Sequence, residues 1–131
     1  MADWKEVAVN GFRLRSPVDL READAKGIDS NATALEGRNL SVVIDAGPFS
    51  DPLTSYGDRR GASVSEETIG GRTARVVSFP LDDGSQFAAA HFELDGEARA
   101  GAPRKLTISV TGREDLGGEV PLKIVRSLEF L

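Results

Sequence analysis

Strict alternation of apolar and polar residues marks the last third of the chain. Over residues 105–111, aliphatic side chains occupy every second position, at Leu106, Ile108 and Val110. Polar residues occupy the positions between them, and a period of two is typical of a β-strand with one buried and one solvated face. The pattern therefore predicts a strand of an antiparallel sheet whose apolar face needs a cover.

A helical pattern follows this strand. Gly117 and Gly118 interrupt the chain, and apolar residues then recur at helical spacing, at Val120, Ile124 and Leu128. Pro121 falls in the first turn, where backbone amides have no intrahelical acceptor and proline is tolerated. The sequence therefore predicts a C-terminal helix that packs on the apolar face of the sheet.

Turn-forming residues between short β-favouring runs predict three hairpins. The turns are Asn10-Gly11, Gly37-Arg38-Asn39 and Gly70-Gly71. Asparagine and glycine adopt the positive φ angles of tight hairpin turns more readily than other residues. The flanking runs are residues 4–9, 12–15, 33–36, 40–46, 62–69 and 72–79.

Three further segments complete the predicted order. Residues 86–94 place Ala88, Ala90, Phe92 and Leu94 on one side and predict another strand. Ser16, Pro17 and Asp19 resemble a capped helix start and predict a short helix that ends before Gly27. Residues 47–61 are rich in Gly, Pro, Ser and Asp, and predict the longest loop.

These elements together predict the fold class α+β. We expect one domain over residues 1–131, with about eight short strands in a twisted antiparallel sheet and the C-terminal helix packed on one face. The predicted core consists of Leu14, Val42, Ile44, Val77, Phe92, Leu106, Ile108, Val110, Ile124 and Leu128.

Composition places the chain among ordinary globular proteins. It has 131 residues, of which 40% are hydrophobic and 28% charged, and this suffices for one core without disulfides. The absence of cysteine excludes a disulfide scaffold and a cysteine metal site, but it leaves the redox compartment open. The net charge of −5 opposes binding to nucleic acid.

The first residues give an expectation about the membrane. Residues 1–10 contain Asp3, Lys5 and Glu6 and no apolar run, so we expect neither a signal peptide nor direct membrane insertion. The chain as given fits the cytoplasm, and it fits the cell envelope equally well if a leader has been removed. The localisation is therefore left open.

The order of features resembles the PsbP-like superfamily. Residues 11–17 (Gly-Phe-Arg-Leu-Arg-Ser-Pro) are similar to its opening strand and Pro-containing turn. Residues 123–130 (Lys-Ile-Val-Arg-Ser-Leu-Glu-Phe) are similar to its closing helix and last strand residues. Residues 28–30 and 70–72 lie where related bacterial sequences carry similar turns. This superfamily includes an extrinsic subunit of the photosynthetic oxygen-evolving complex, DcrB-type envelope proteins and a Ran-binding import factor.

The resemblance implies a central antiparallel sheet packed against helices. It also implies a binding or assembly factor, because members of the superfamily share no common active site. This chain is shorter than the better-known members and has fewer helical segments. No ligand motif of any member is present here, so the resemblance transfers no functional residue.

Candidate catalytic and metal-binding residues are few. His91 is the only histidine, and its strand position near Glu93 favours a partly exposed structural role, since a metal site needs more ligands. Asp45, Asp51 and Asp58 are spaced too widely for a calcium loop and are interpreted as solvated turn acids. We therefore assign no catalytic residue, no metal ligand and no cofactor.

The loop at 47–61 carries the candidate binding residues. Arg59 and Arg60 lie close to Tyr56, and Arg and Tyr supply much of the contact area in protein interfaces. The predicted protein-binding set is Asp51, Tyr56, Asp58, Arg59 and Arg60. If this loop serves binding alone, replacing Tyr56 by alanine and Arg59 by glutamate should weaken the binding of a partner protein. The melting temperature of the double variant should stay nearly unchanged.

The sequence thus favours a non-catalytic binding or assembly domain that recognises a protein partner. The bias toward Ala, Gly and Arg favours a bacterial source. Two alternatives stay open. One is an immunity or inhibitor protein that neutralises a basic toxin with its acidic surface. The other is a small cofactor-free enzyme that uses His91 with Glu93 or a loop aspartate.

Overall fold

Antiparallel strands dominate the computed structural model, which describes residues 4–9, 12–23, 32–45, 53–54, 56–93 and 105–130. The first five strands are β1 (Lys5–Val9), β2 (Phe12–Ser16), β3 (Arg21–Ala23), β4 (Ala32–Gly37) and β5 (Leu40–Asp45). The next four are β6 (Ser63–Ile69), β7 (Arg72–Pro80), β8 (Gln86–Glu93) and β9 (Lys105–Gly112). A 3₁₀ turn (Glu114–Leu116), helix α1 (Val120–Arg126) and strand β10 (Glu129–Phe130) follow.

The described strands form two sheets. The larger has seven strands in the order β3-β4-β5-β9-β8-β7-β6, and the smaller has three in the order β1-β2-β10. Neighbouring strands are antiparallel throughout. β9 lies at the centre of the larger sheet because β5 pairs with one of its edges and β8 with the other.

The three predicted hairpins are confirmed. Gly70 and Gly71 join β6 to β7 with φ angles of 60° and 82°, as a tight turn between twisted strands requires. Asn39, with φ of 59°, lies in the turn between β4 and β5. Val9 pairs with Phe12, so β1 and β2 form the first hairpin; its turn, Asn10-Gly11, lies outside the described residues.

The main core lies between the larger sheet, α1 and the smaller sheet. The aliphatic side chains of β9 are fully buried, and α1 packs across β8 and β9 with Ile124 and Val125 against them. Leu14 of β2 joins the same cluster and connects the two sheets. All ten residues of the predicted core are buried, and nine of them belong to this cluster. Val77 was assigned to the wrong face, because Ala74 and Val76 are the β7 residues that face the main core.

The opposite face of the larger sheet is partly covered too, which corrects the expectation of one fully solvated face. Val77 and Ala89 are buried there beneath Leu53 and form a second apolar cluster, against which Tyr56 and Phe87 pack. Thr107, expected on the solvated side of β9, is only 6% exposed. Near the centre of the larger sheet, residues on both faces are therefore buried.

The short helix predicted after Ser16 is wrong where the structure describes it. The Ser16 hydroxyl donates to the carbonyl of Val18 and accepts from the Val18 amide, which closes a compact side-chain turn instead of capping a helix. The chain then enters β3, in which Arg21 lies directly opposite Glu36 of β4 in the strand register. The α+β prediction thus overestimated the helical content, since the one α-helix of the described residues is seven residues long.

An ion pair ties the edge strand β6 to α1. Arg126 donates from Nε and Nη2 to the two carboxylate oxygens of Glu67, at 2.8 and 3.0 Å. These hydrogen bonds, with a further one from Ser65, hold the pKa of the Glu67 carboxyl below its ordinary value although partial burial opposes this. A lowered pKa in the folded state stabilises the fold above the ordinary carboxyl pKa.

We expect Glu67→Gln to lower the free energy of unfolding by about 1 kcal/mol at neutral pH, because it removes the charge that Arg126 binds. The difference from the parent protein should shrink as the pH falls through the folded-state pKa of Glu67, since the parent carboxylate then becomes protonated too. Urea unfolding at several pH values measures this. Glu66→Gln, an exposed neighbour on the other face of β6, is the control, and an equal loss in both variants at every pH would contradict the assignment.

Candidate functional site

The segment Tyr56–Gly61, called the Tyr56 turn below, carries the predicted binding residues that the structure describes. The Tyr56 ring stacks on Phe79 of β7, with centroids 5.5 Å apart, and on Phe87 of β8, at 6.2 Å. Phe79 and Phe87 are themselves stacked at 4.8 Å because they lie opposite each other on paired strands. Three aromatic rings thus attach the start of the turn to the sheet.

Arg59 adds a second attachment. Its guanidinium lies 4.2 Å from the centroid of the Phe79 ring, within the range of a cation-π contact. Backbone hydrogen bonds close the turn on both sides of this residue, from the Arg59 amide to Tyr56 and from the Ala62 amide to Arg59, at 3.1 and 3.0 Å. The Tyr56 turn therefore has a fixed conformation on the surface of β7 and β8.

Gly61 allows the turn to approach the sheet closely. Its φ angle is 72°, and a Cβ atom at this position would lie 2.9 Å from Cδ of Pro80 at the end of β7. Both the backbone conformation and the space favour glycine. The backbone at Gly61 can therefore lie directly on β7.

The structure sorts the predicted binding residues into two kinds. Asp58, Arg59 and Arg60 are exposed, whereas Tyr56 is half-buried beneath the turn. Asp51 lies outside the described residues. Because Tyr56 and Arg59 both pack on Phe79, we no longer expect their replacement to leave the melting temperature unchanged. Asp58, Arg59 and Arg60 thus all lie exposed on the anchored turn, and Arg59 is the one of these three that also packs on Phe79.

His91 lies on the same face of the sheet as Phe87, four residues further along β8. It is only 5% exposed, so the expectation of a partly exposed histidine is wrong. Its Nε2 contacts a carboxylate oxygen of Glu93, as the sequence spacing predicted, and its Nδ1 lies 2.7 Å from the Thr107 hydroxyl. A carboxylate only accepts hydrogen bonds, so Nε2 carries the proton and, in the neutral ring, Nδ1 accepts from Thr107.

The order hydroxyl, imidazole, carboxylate matches a nucleophile, its base and an orienting acid. The surroundings of Thr107 do not complete that chemistry. Thr107 lies within β9, whose neighbours β5 and β8 pair with it at Asp45 and His91. Backbone amides engaged in a sheet ladder cannot also stabilise an oxyanion, which is usually the largest catalytic contribution in acyl transfer. The arrangement therefore supports a structural role, in which the His91 side chain links β8 to Thr107 of β9.

Metal binding finds no support in the part of the chain that the structure describes. No three His, Cys, Asp or Glu side chains there come close enough to share an ion. Of the aspartates considered from the sequence, Asp45 ends β5 and Asp58 lies in the Tyr56 turn. Lys105 approaches Glu93 beside His91, with its Nζ 3.8 Å from the carboxylate.

Comparison of this chain with protein families and with curated proteins finds no match. Within the described ranges, no helix has the length and apolar character needed to cross a membrane.

Proposed function

We propose that this protein is a non-catalytic binding or assembly domain that recognises a protein partner through the Tyr56 turn. The observation behind this proposal is that the turn is attached to the sheet and still exposes charged side chains. Tyr56 and Arg59 fix the turn on Phe79, while Asp58 and Arg60 remain exposed between and beside them.

A fixed turn favours binding for an entropic reason. Ordering a mobile loop or side chain at an interface costs part of the free energy of association, and a surface that is already ordered avoids much of this cost. In the Tyr56 turn, two backbone hydrogen bonds and three ring contacts already hold the chain. Asp58 and Arg60 then offer opposite charges to a partner, which favours one orientation of the complex over others.

The resemblance to the PsbP-like superfamily agrees with this proposal. It is based mainly on residues 11–17, a segment that includes β2, and on residues 123–130, a segment that includes the end of α1 and β10. Membership would imply a binding or assembly factor. The superfamily assignment is part of the proposal, and the Tyr56 turn supports a binding role independently of it.

Site-specific photo-crosslinking tests the proposal. A photoreactive amino acid at position 60 should crosslink one partner in cells of the source organism, because this exposed position lies on the proposed contact surface. The same residue at position 123, an exposed site on α1, is the matched control. Mass spectrometry of the crosslinked product identifies the partner.

The identity of the partner separates the remaining functions. A product specific to position 60 supports the proposed surface, and a basic toxin as that product assigns the immunity function. Equal products from positions 60 and 123, or a product from position 123 alone, would contradict binding through the Tyr56 turn.

A further inference from the structure

An open groove lies at the opposite end of the larger sheet from the Tyr56 turn. Its volume is about 670 Å³, within the usual range of small-ligand sites. It runs beside the edge strand β3 and the end of β4, and the first residue of β1 closes one side. The lining residues are Lys5, Val18, Asp19, Arg21, Glu22, Ala23, Glu36, Gly37 and Arg38.

The wall of the groove is held in place without a ligand. Lys5 donates to Asp19 at 2.6 Å, which links β1 to the segment before β3. The buried Ser16 hydroxyl fixes that segment through its two hydrogen bonds with Val18. Gly37 of β4 permits close packing, because a Cβ atom there would collide with the carbonyl oxygen of Asp19. The groove is therefore largely preformed.

Charges of both signs remain available in the groove. Lys5 and Asp19 neutralise each other, and the same contact holds the pKa of the Asp19 carboxyl below its usual range. The other charged lining residues are Arg21, Glu22, Glu36 and Arg38, and all four are exposed. None of them forms an ion pair with another residue of the described ranges.

The strand register sets the spacing of these charges. Arg21 and Glu36 are direct partners across the β3–β4 pair, so their Cβ atoms are about 5 Å apart on one face. Two chain residues span at most about 7 Å. A dipeptide is therefore long enough to bring its carboxylate to one of these two side chains and its ammonium group to the other.

We propose that this groove binds a small zwitterion of the dipeptide class. The guanidinium groups of Arg21 and Arg38 suit a ligand carboxylate, which arginine binds with two parallel hydrogen bonds. The carboxylate of Glu36, on the same face of the β3–β4 pair as Arg21, accepts from a ligand ammonium group. Val18 and Ala23 give the groove an apolar part that accommodates a small aliphatic side chain.

An NMR titration of the ¹⁵N-labelled protein with alanyl-alanine tests this site. We expect saturable shifts of the backbone amides of residues 21–23 and 36–38, which line the groove. N-acetylated alanyl-alanine keeps only the carboxylate, and alanyl-alanine amide keeps only the ammonium group. Each should bind about tenfold more weakly, because half of the charged contacts are lost.

Variants of the groove complete the test. Glu36→Gln and Arg38→Gln should each raise the Kd for alanyl-alanine about tenfold. Glu119→Gln, at the N-cap of α1, and Lys123→Gln, on α1, are outside the lining and should leave it unchanged. Melting curves show whether each variant is folded. No saturable shift with alanyl-alanine, or a blocked analogue that binds as tightly as alanyl-alanine itself, would overturn the proposal. Neither result bears on the Tyr56 turn.

Discussion

Replacement of Phe92 by alanine is expected to lower the free energy of unfolding by about 4 kcal/mol, the largest effect of any substitution considered for this protein. Phe92 lies on β8 and is completely buried in the main core. Its ring meets the Phe130 ring edge-on, with centroids 5.2 Å apart and planes at 82°. The substitution removes this contact and leaves a cavity that the strands on either side are too constrained to fill.

Urea denaturation followed by circular dichroism measures the loss. Val64→Ala is the control, because Val64 on the edge strand β6 is 49% exposed and should contribute little. A loss below about 1.5 kcal/mol for Phe92→Ala would mean that β8 and β10 do not enclose the ring as described.

The second large effect is expected at Tyr56. Tyr56→Ala should lower the free energy of unfolding by about 2 kcal/mol, because it removes the ring that covers Phe79 and Phe87. This differs from the sequence-based expectation of an unchanged melting temperature. That expectation assumed that the loop makes no stabilising contact with the rest of the protein. In the structure, the Tyr56 ring attaches the loop to β7 and β8.

Two further variants separate stacking from the rest of the turn. Tyr56→Phe keeps the ring and should retain most of the stability, and Asp58→Ala should change it by less than about 0.5 kcal/mol because Asp58 is exposed. Thermal and urea unfolding of the three variants provide the comparison. A stable Tyr56→Ala variant would show that the ring contacts do not hold the turn.

The hairpins and the main core could be predicted because their determinants are local. Gly70-Gly71 and Asn39 adopt positive φ angles that few other residues tolerate, so each turn is visible in two or three residues. Alternation in residues 105–111 assigns each side chain to a face without knowledge of the neighbouring strands. The C-terminal helix follows from its apolar spacing in the same way.

The errors arose where distant contacts decide the structure. Ser16 has the local character of a helix cap, but pairing of β3 with β4 draws the following residues into a strand. His91 has the local character of a half-exposed strand residue, but the β8–β9 register places it opposite Thr107, where it is buried. Sequence patterns do not state which strands become neighbours.

The two candidate sites differ in the same way. The Tyr56 turn is one continuous segment, so its composition alone drew attention to it. The groove combines Lys5, residues 18–23 and residues 36–38, and none of these segments carries a motif. Their meeting depends on the approach of Gly37 to the chain before β3, which only the folded structure brings about.

The most direct test of the binding role is the affinity of the crosslinked partner, once purified, for two double variants. Asp58→Ala with Arg60→Ala removes one acidic and one basic side chain from the Tyr56 turn. Glu119→Ala with Lys123→Ala removes one of each from α1 and its N-cap, so the net charge is the same in both double variants. Calorimetric titration should show Kd raised at least about tenfold for the first variant and unchanged for the second. Equal affinity of both variants and the parent protein would contradict recognition through the Tyr56 turn.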